Sequence, residues 1–198
     1  MLDLMGFYKL NVLHLHFSDD EGWRIEIPSL PELTQVGAVR GHTNTPHKYL
    51  QPSYGSGPEA AQNAGTGHYS RQDFIEILRY ANARHIKVIP EIEAPGHARA
   101  AVKAMEARYV AKMAAGEKEE AEKYLLHDPT DRSVYRSVQM WNDNVMNVAM
   151  PSVYRFLETV FRRAVSMYRE ANAPLKLYPL QATKFLQVFG PNRQQLKN

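Results

Sequence analysis

Cysteine is absent from the 198 residues, which excludes disulfide frameworks and thiolate metal sites but decides nothing about compartment. No stretch gathers lysine and arginine without acidic neighbours. With 24 basic against 21 acidic side chains, the charge pattern argues against a nucleic-acid or a membrane partner. A long apolar run is missing too. The opening MLDLMGFYKLNVLHLHF carries Asp3 and Lys9 within it, lacks a small-residue cleavage site, and is too short and polar to span a bilayer. It reads as a helix end entering a strand, so the first residue is expected to lie inside a longer chain. What is present, 44% apolar and 23% charged residues, is the composition of a soluble globular domain or part of one.

Leu10 to Phe17 is an apolar run in which His14 and His16 stand two apart, which on a strand puts both imidazoles on one face. Ser18-Asp19-Asp20-Glu21-Gly22-Trp23-Arg24 follows where that strand should end. Trp23 and Arg24 lie past the end and lead into an Arg-Ile-Glu-Ile extension, so they are read as supporting the fold. From Pro28 to about His68 the chain is rich in Gly, Pro, Ser, Thr and Asn and has no sustained period. Ser70 is placed to cap a helix whose inward residues are Phe74, Ile77, Leu78 and Ala81 and which ends near His85. Ile86 to Glu93 is a second buried strand, closed by Ala94-Pro95-Gly96-His97 and followed by an Ala-rich helix to about Met113.

Lys112 to Lys123 is a charged helical stretch, read as a solvated face. A last helix from about Pro151 to Ala171 should turn Val153, Phe156, Leu157, Val160, Phe161 and Val165 inward, with another strand to follow. Strand, helix, strand, helix implies parallel pairing. Polar clusters at two successive strand ends favour an α/β fold of the (β/α)8 TIM-barrel kind, of which this chain supplies part, over a doubly wound sheet. In such a barrel His16, Asp19, Asp20 and Trp23 from one strand end would meet Glu91, Glu93 and His97 from the other at one rim. A lone His or Asp at a strand end is more often a cap than a catalytic group. Two such clusters in register shift the balance.

Four stretches carry a resemblance. FYKLNVLHLHFSDDEGWRIEIPSLPELT, YGSG, YSRQDFIEILRYANARHIKVIPEIEAPGHARAA, and WNDNVMN with PSVYRFLETV together resemble, almost without gaps over about residues 2 to 176, the catalytic domain of bacterial family 20 β-N-acetylhexosaminidases. The resemblance implies a retaining glycosidase without an enzyme nucleophile, in which the 2-acetamido oxygen of the substrate attacks the anomeric carbon. It implies no metal and no cofactor, and partners that are N-acetylglucosamine- or N-acetylgalactosamine-terminated glycans, with an exported parent, periplasmic or secreted.

In the family an Asp-Glu pair ending the fourth strand orients the acetamido group and protonates the leaving oxygen. Asp19 and His97 match the residues that support that acid through charge and hydrogen bonding. His16 matches the second His of the HLH motif and is placed near the sugar. Glu93 stands where the family usually has Asp, so its carboxylate is displaced by about one C–C bond, and its part in substrate binding is altered accordingly.

Beyond Lys176 the resemblance stops. The family continues into His-x-Gly-Gly-Asp-Glu, whereas this chain reads LYPLQATKFLQVFGPNRQQLKN. The acid and its partner are missing from the 198 residues, as are the substrate-gripping Arg of an earlier strand and the later aromatic walls of the acetamido pocket. Permitted codons for Gln181 to Arg193, read two nucleotides later and completed from Gln194, spell GDEIPTGIWAKSP. That peptide has Gly-Asp-Glu, Pro, Gly, Trp and Ser-Pro at the family's spacings. Residues 1–176 are therefore read as the N-terminal part of a hexosaminidase barrel and 177–198 as a frameshift product, with no hydrolysis expected of the chain as it stands. Two other readings compete. One is a non-catalytic sugar-binding remnant. The other is a zinc-dependent hydrolase of the amidohydrolase kind using His14, His16, His97 and Asp19.

Overall fold

In a computed structural model, residues 1–175 are described. The strand expected after the last helix, and the tail 177–198 with its shifted-frame reading, lie outside the described residues. The elements run α1 (Leu2–Phe7), β1 (Val12–His16), β2 (Ser18–Asp19), β3 (Gly22–Trp23), α2 (Glu32–Gln35), α3 (Arg71–Asn82), β4 (Lys87–Glu91), α4 (Arg99–Ala114), α5 (Lys118–Glu122) and α6 (Pro151–Glu170).

The strands β1 and β4 are parallel neighbours, with Leu13 opposite Val88 and His16 opposite Glu91. Leu13 and Val88 are buried, while His14 and His16 stand exposed on β1. The period-two alternation of a strand thus sends its leucine to the helices and its imidazoles to the other face. Both strands end at the same rim, and β2 and β3 form a short antiparallel turn beyond it. Parallel strands with flanking helices make this part of an α/β barrel.

The helices lie where the apolar period places them, with differences in detail. Ser70 caps α3 through a capping box: its Oγ accepts from Asp73 N at 3.0 Å, and Asp73 Oδ2 accepts from Ser70 N at 2.8 Å. Ile75 is buried in α3, and Ile77 is only half-buried. In α6 the buried stripe is Val153, Phe156, Leu157 and Val160, continued by Ala164, Met167 and Tyr168, with Phe161 and Val165 at its margin. The charged stretch 112–123 is not one helix. Gly116, at φ +76°, breaks it between α4 and α5, because a left-handed residue closes a helix. The short α2 inside the aperiodic 28–68 segment has no signal at sequence level, since four residues show no period.

Trp23 is fully buried and donates from Nε1 to Ile25 O at 2.6 Å. Phe17, Phe74 and Tyr168 pack edge to face at 5.1 and 5.8 Å, and Trp23 meets Phe156 at 6.0 Å. The Tyr168 hydroxyl donates to Val88 O at 2.9 Å, tying α6 to β4. The excursion 28–68 is held by two guanidiniums. Arg24 donates to Gly67 O at 2.7 Å and Gly65 O at 2.9 Å, and the buried Arg40 donates to Glu21 O at 2.8 Å and to the Glu21 carboxylate. Trp23 and Arg24 thus support the fold, as their place beyond the strand end implied. Among the described residues no helix is long and apolar enough to cross a membrane.

Candidate active site

His16, the last residue of β1, faces two carboxylates. Its Nδ1 lies 2.9 Å from Glu91 Oε2 and its Nε2 3.1 Å from Asp19 Oδ2. The His14 ring shares the same Glu91 oxygen, from Nε2 at 2.9 Å. Asp19 passes the line on, since its Oδ1 lies 3.4 Å from His97 Nδ1. Imidazoles and carboxylates therefore alternate from His14 through Glu91, His16 and Asp19 to His97. With acceptors on both ring nitrogens, His16 satisfies them best as an imidazolium. Burial works against that charge, but the hydrogen bonds and negative charges of Glu91 and Asp19 outweigh it and raise the His16 pKa above its ordinary value.

Asp20 is almost completely buried. Its Oδ1 accepts from Arg99 N at 3.2 Å and its Oδ2 from Asn144 Nδ2 at 2.9 Å. Burial raises its pKa, and the bonds from Asn144 and Arg99 act in the opposite sense. Glu93 is half-buried, and its main-chain N donates to Ser18 Oγ at 2.8 Å. Burial first, then the neighbouring Glu91 charge, raise the Glu93 pKa. Glu21 faces away from this line. Its carboxylate takes the Trp141 indole N–H at 2.9 Å as well as Arg40, and Arg99 lies over the Trp141 ring at 4.0 Å.

Of the seven side chains expected at the rim, six do gather there: His16, Asp19, Asp20, Glu91, Glu93 and His97. One donor atom each of His16, Glu91 and Glu93 lies within 4.8 Å of the others, and so do those of Asp19, Asp20 and His97. Such oxygen and nitrogen sets suit a divalent cation. Here both nitrogens of His16 already face carboxylates, and both oxygens of Asp20 already accept hydrogen bonds. Trp23 belongs to the core and not to the rim. Sequence reasoning missed Asn144 as a partner of Asp20, and no local pattern could reveal a contact across more than a hundred residues.

The linked row of imidazoles and carboxylates lies at the C-terminal ends of adjacent parallel strands, the face on which (β/α) barrels carry their active sites, and these strands and helices form part of such a barrel. The chain belongs to glycosyl hydrolase family 20, whose catalytic-domain model matches residues 1–173. Membership in that family sets aside the amidohydrolase reading of His14, His16, His97 and Asp19. The chain is 47% identical over 189 residues to a β-hexosaminidase of Vibrio vulnificus, covering 96% of this chain and 22% of that protein. It is 51% identical over 175 residues to the N,N'-diacetylchitobiase of Vibrio harveyi, covering 88% and 20%. Among solved structures, the exo-β-N-acetylglucosaminidase of Vibrio harveyi in complex with N-acetylglucosamine superposes with a TM-score of 0.68 at 35% identity, over 84% of this chain and 22% of that one. The chain thus spans about a fifth of the length of these relatives.

Proposed function

We propose that these residues are part of a β-N-acetylhexosaminidase that removes terminal N-acetylhexosamine by substrate-assisted, retaining hydrolysis. In this reading Asp19 and His97 support the general acid, and His16 and Glu93 lie beside the sugar. The observation that carries it is the His16–Asp19–His97 line at the rim, with Asp19 touching both imidazoles. A carboxylate so placed can hold an imidazole's tautomer and orientation and adjust the proton affinity of an acid beyond it. N-acetylglucosamine is the favoured terminal sugar, because similar proteins are a diacetylchitobiase and an enzyme in complex with that sugar. N-acetylgalactosamine is the second candidate.

The test begins with the encoding DNA through the codons of 176–198 and beyond. In this proposal 177–198 is a frameshift product, so the frame that spells Gly-Asp-Glu should stay open. The protein expressed from that continuous frame should release 4-nitrophenol from its N-acetyl-β-glucosaminide, and more slowly from the galactosaminide. The 198-residue chain should release none. Absence of turnover in the continuous protein would sink the functional reading, and turnover by the 198-residue chain would overturn the assignment of the acid to residues it lacks. Sugar binding without turnover in both would favour the non-catalytic remnant.

A further inference from the structure

We infer that Asn144 is a positioning residue: it locks the turn after β4 to the end of β1 and so sets His97 against Asp19. Asn144 is buried, in the irregular segment between α5 and α6, distant in sequence from both strands. All its polar groups are used. Its Nδ2 donates to Asp20 Oδ2 at 2.9 Å, and its main-chain oxygen accepts from Ala98 N at 3.0 Å. Its Oδ1 accepts from the Tyr135 hydroxyl at 3.2 Å, and its main-chain N donates to that same hydroxyl at 2.8 Å. Two residues on, Met146 N donates to Pro95 O at 2.8 Å.

The segment around Asn144 therefore grips the main chain on both sides of His97, at Pro95 and at Ala98, while the Asn144 side chain holds the residue next to Asp19. Asp20 adds a third tie by accepting from Arg99 N at 3.2 Å. None of these bonds uses the His97 side chain. His97 itself has φ +52°, a left-handed conformation that a residue with a Cβ keeps only when its surroundings impose it. The 3.4 Å approach of His97 Nδ1 to Asp19 Oδ1 thus rests on the main-chain ties beside His97 and on the Asn144 side chain, which fixes the Asp20 carboxylate that His97 Nδ1 also faces at 3.7 Å.

A side-chain amide meets the demands at 144, because it donates to the Asp20 carboxylate from one atom and accepts the Tyr135 hydroxyl proton at the other. An aspartate there would face Asp20 with like charge, and an alanine would leave a buried carboxylate short of a donor. The inference deepens the proposed function, on which the catalytic meaning of Asp19 and His97 rests, but its geometry stands apart from turnover.

The experiment is NMR on the 198-residue chain, at a concentration where light scattering finds it monomeric, comparing the parent with Asn144→Ala and Tyr135→Phe. Folded Asn144→Ala should lose the nuclear Overhauser contact between the Asp19 and His97 side chains, with shift changes concentrated at residues 18–20 and 95–99. Tyr135→Phe should move the same signals by less. A purely structural role would lower the melting temperature, shift only signals of residues that touch 144, and leave the Asp19–His97 contact in place, and that result in folded Asn144→Ala overturns the inference. Should Asn144→Ala not fold, Tyr135→Phe decides: unmoved signals at 95–99 overturn the inference, and moved ones support it. Failure of glycosidase activity in the continuous protein would remove the functional reading without touching this outcome.

Discussion

His16 and Glu93 share a corner of the rim but titrate for opposite reasons, and both leave a mark on stability. The folded pKa of Glu93 is raised above 4.5, so its contribution is complete below that value and is lost as pH rises through the folded pKa. The folded pKa of His16 is raised above 6.5, and its contribution is present below 6.5 and fades as pH climbs past the folded value. Melting temperatures from about pH 4 to about pH 9 should therefore decline in two steps. Glu93→Gln should shrink the lower step, to which the raised pKa of the buried Asp20 also contributes, and His16→Gln should remove the upper one. A His16→Gln curve parallel to the parent's would show that Glu91 and Asp19 do not hold the proton. The alternation of β1 made His16 legible, and the polar run after it made Asp19 legible. The sharing of Glu91 between His14 and His16 was not, because it depends on strand register across 75 residues.

Element boundaries follow local chemistry wherever the chain supplies it. Ser70 and Asp73 satisfy each other's main-chain donors, and α3 begins there. Ser70→Ala should cost about 1 kcal/mol, read as a lower denaturant midpoint at unchanged slope, while an unchanged midpoint would mean that packing alone starts the helix. The parallel strands, the long helices and the convergence of the polar clusters could be read from period and punctuation. The break at Gly116 was missed because the surrounding charged residues are all good helix formers, and its glycine was outvoted. The short α2 was missed because it depends on burying Leu33 against the core and not on any local pattern.

At the scale of the molecule, the described residues cover the helical side of the β1–β4 pair and leave apolar side chains exposed on α1 and at the start of β1. Leu4, Phe7, Leu10 and Val12 remain exposed around α1 and the start of β1, and among the described residues β1 and β4 have only each other as strand partners. Open strand edges beside apolar side chains template association. Light scattering of the 198-residue chain should show mass rising with concentration, and Phe7→Ser with Val12→Lys should suppress the rise. A monodisperse parent at high concentration would contradict this. The 28–68 excursion behaves differently, because Arg24 and Arg40 hold it largely through main-chain carbonyls at Gly65, Gly67 and Ser53. The carbonyls carry no side-chain information, but two of their residues are restricted: a Cβ at Gly65 would meet Arg40 Cδ at 2.6 Å, and Gly67 has φ +146°. The excursion is therefore pinned at a few points, the two guanidiniums and the glycines they reach, and a substitution at those points should displace far more of its path than one between them.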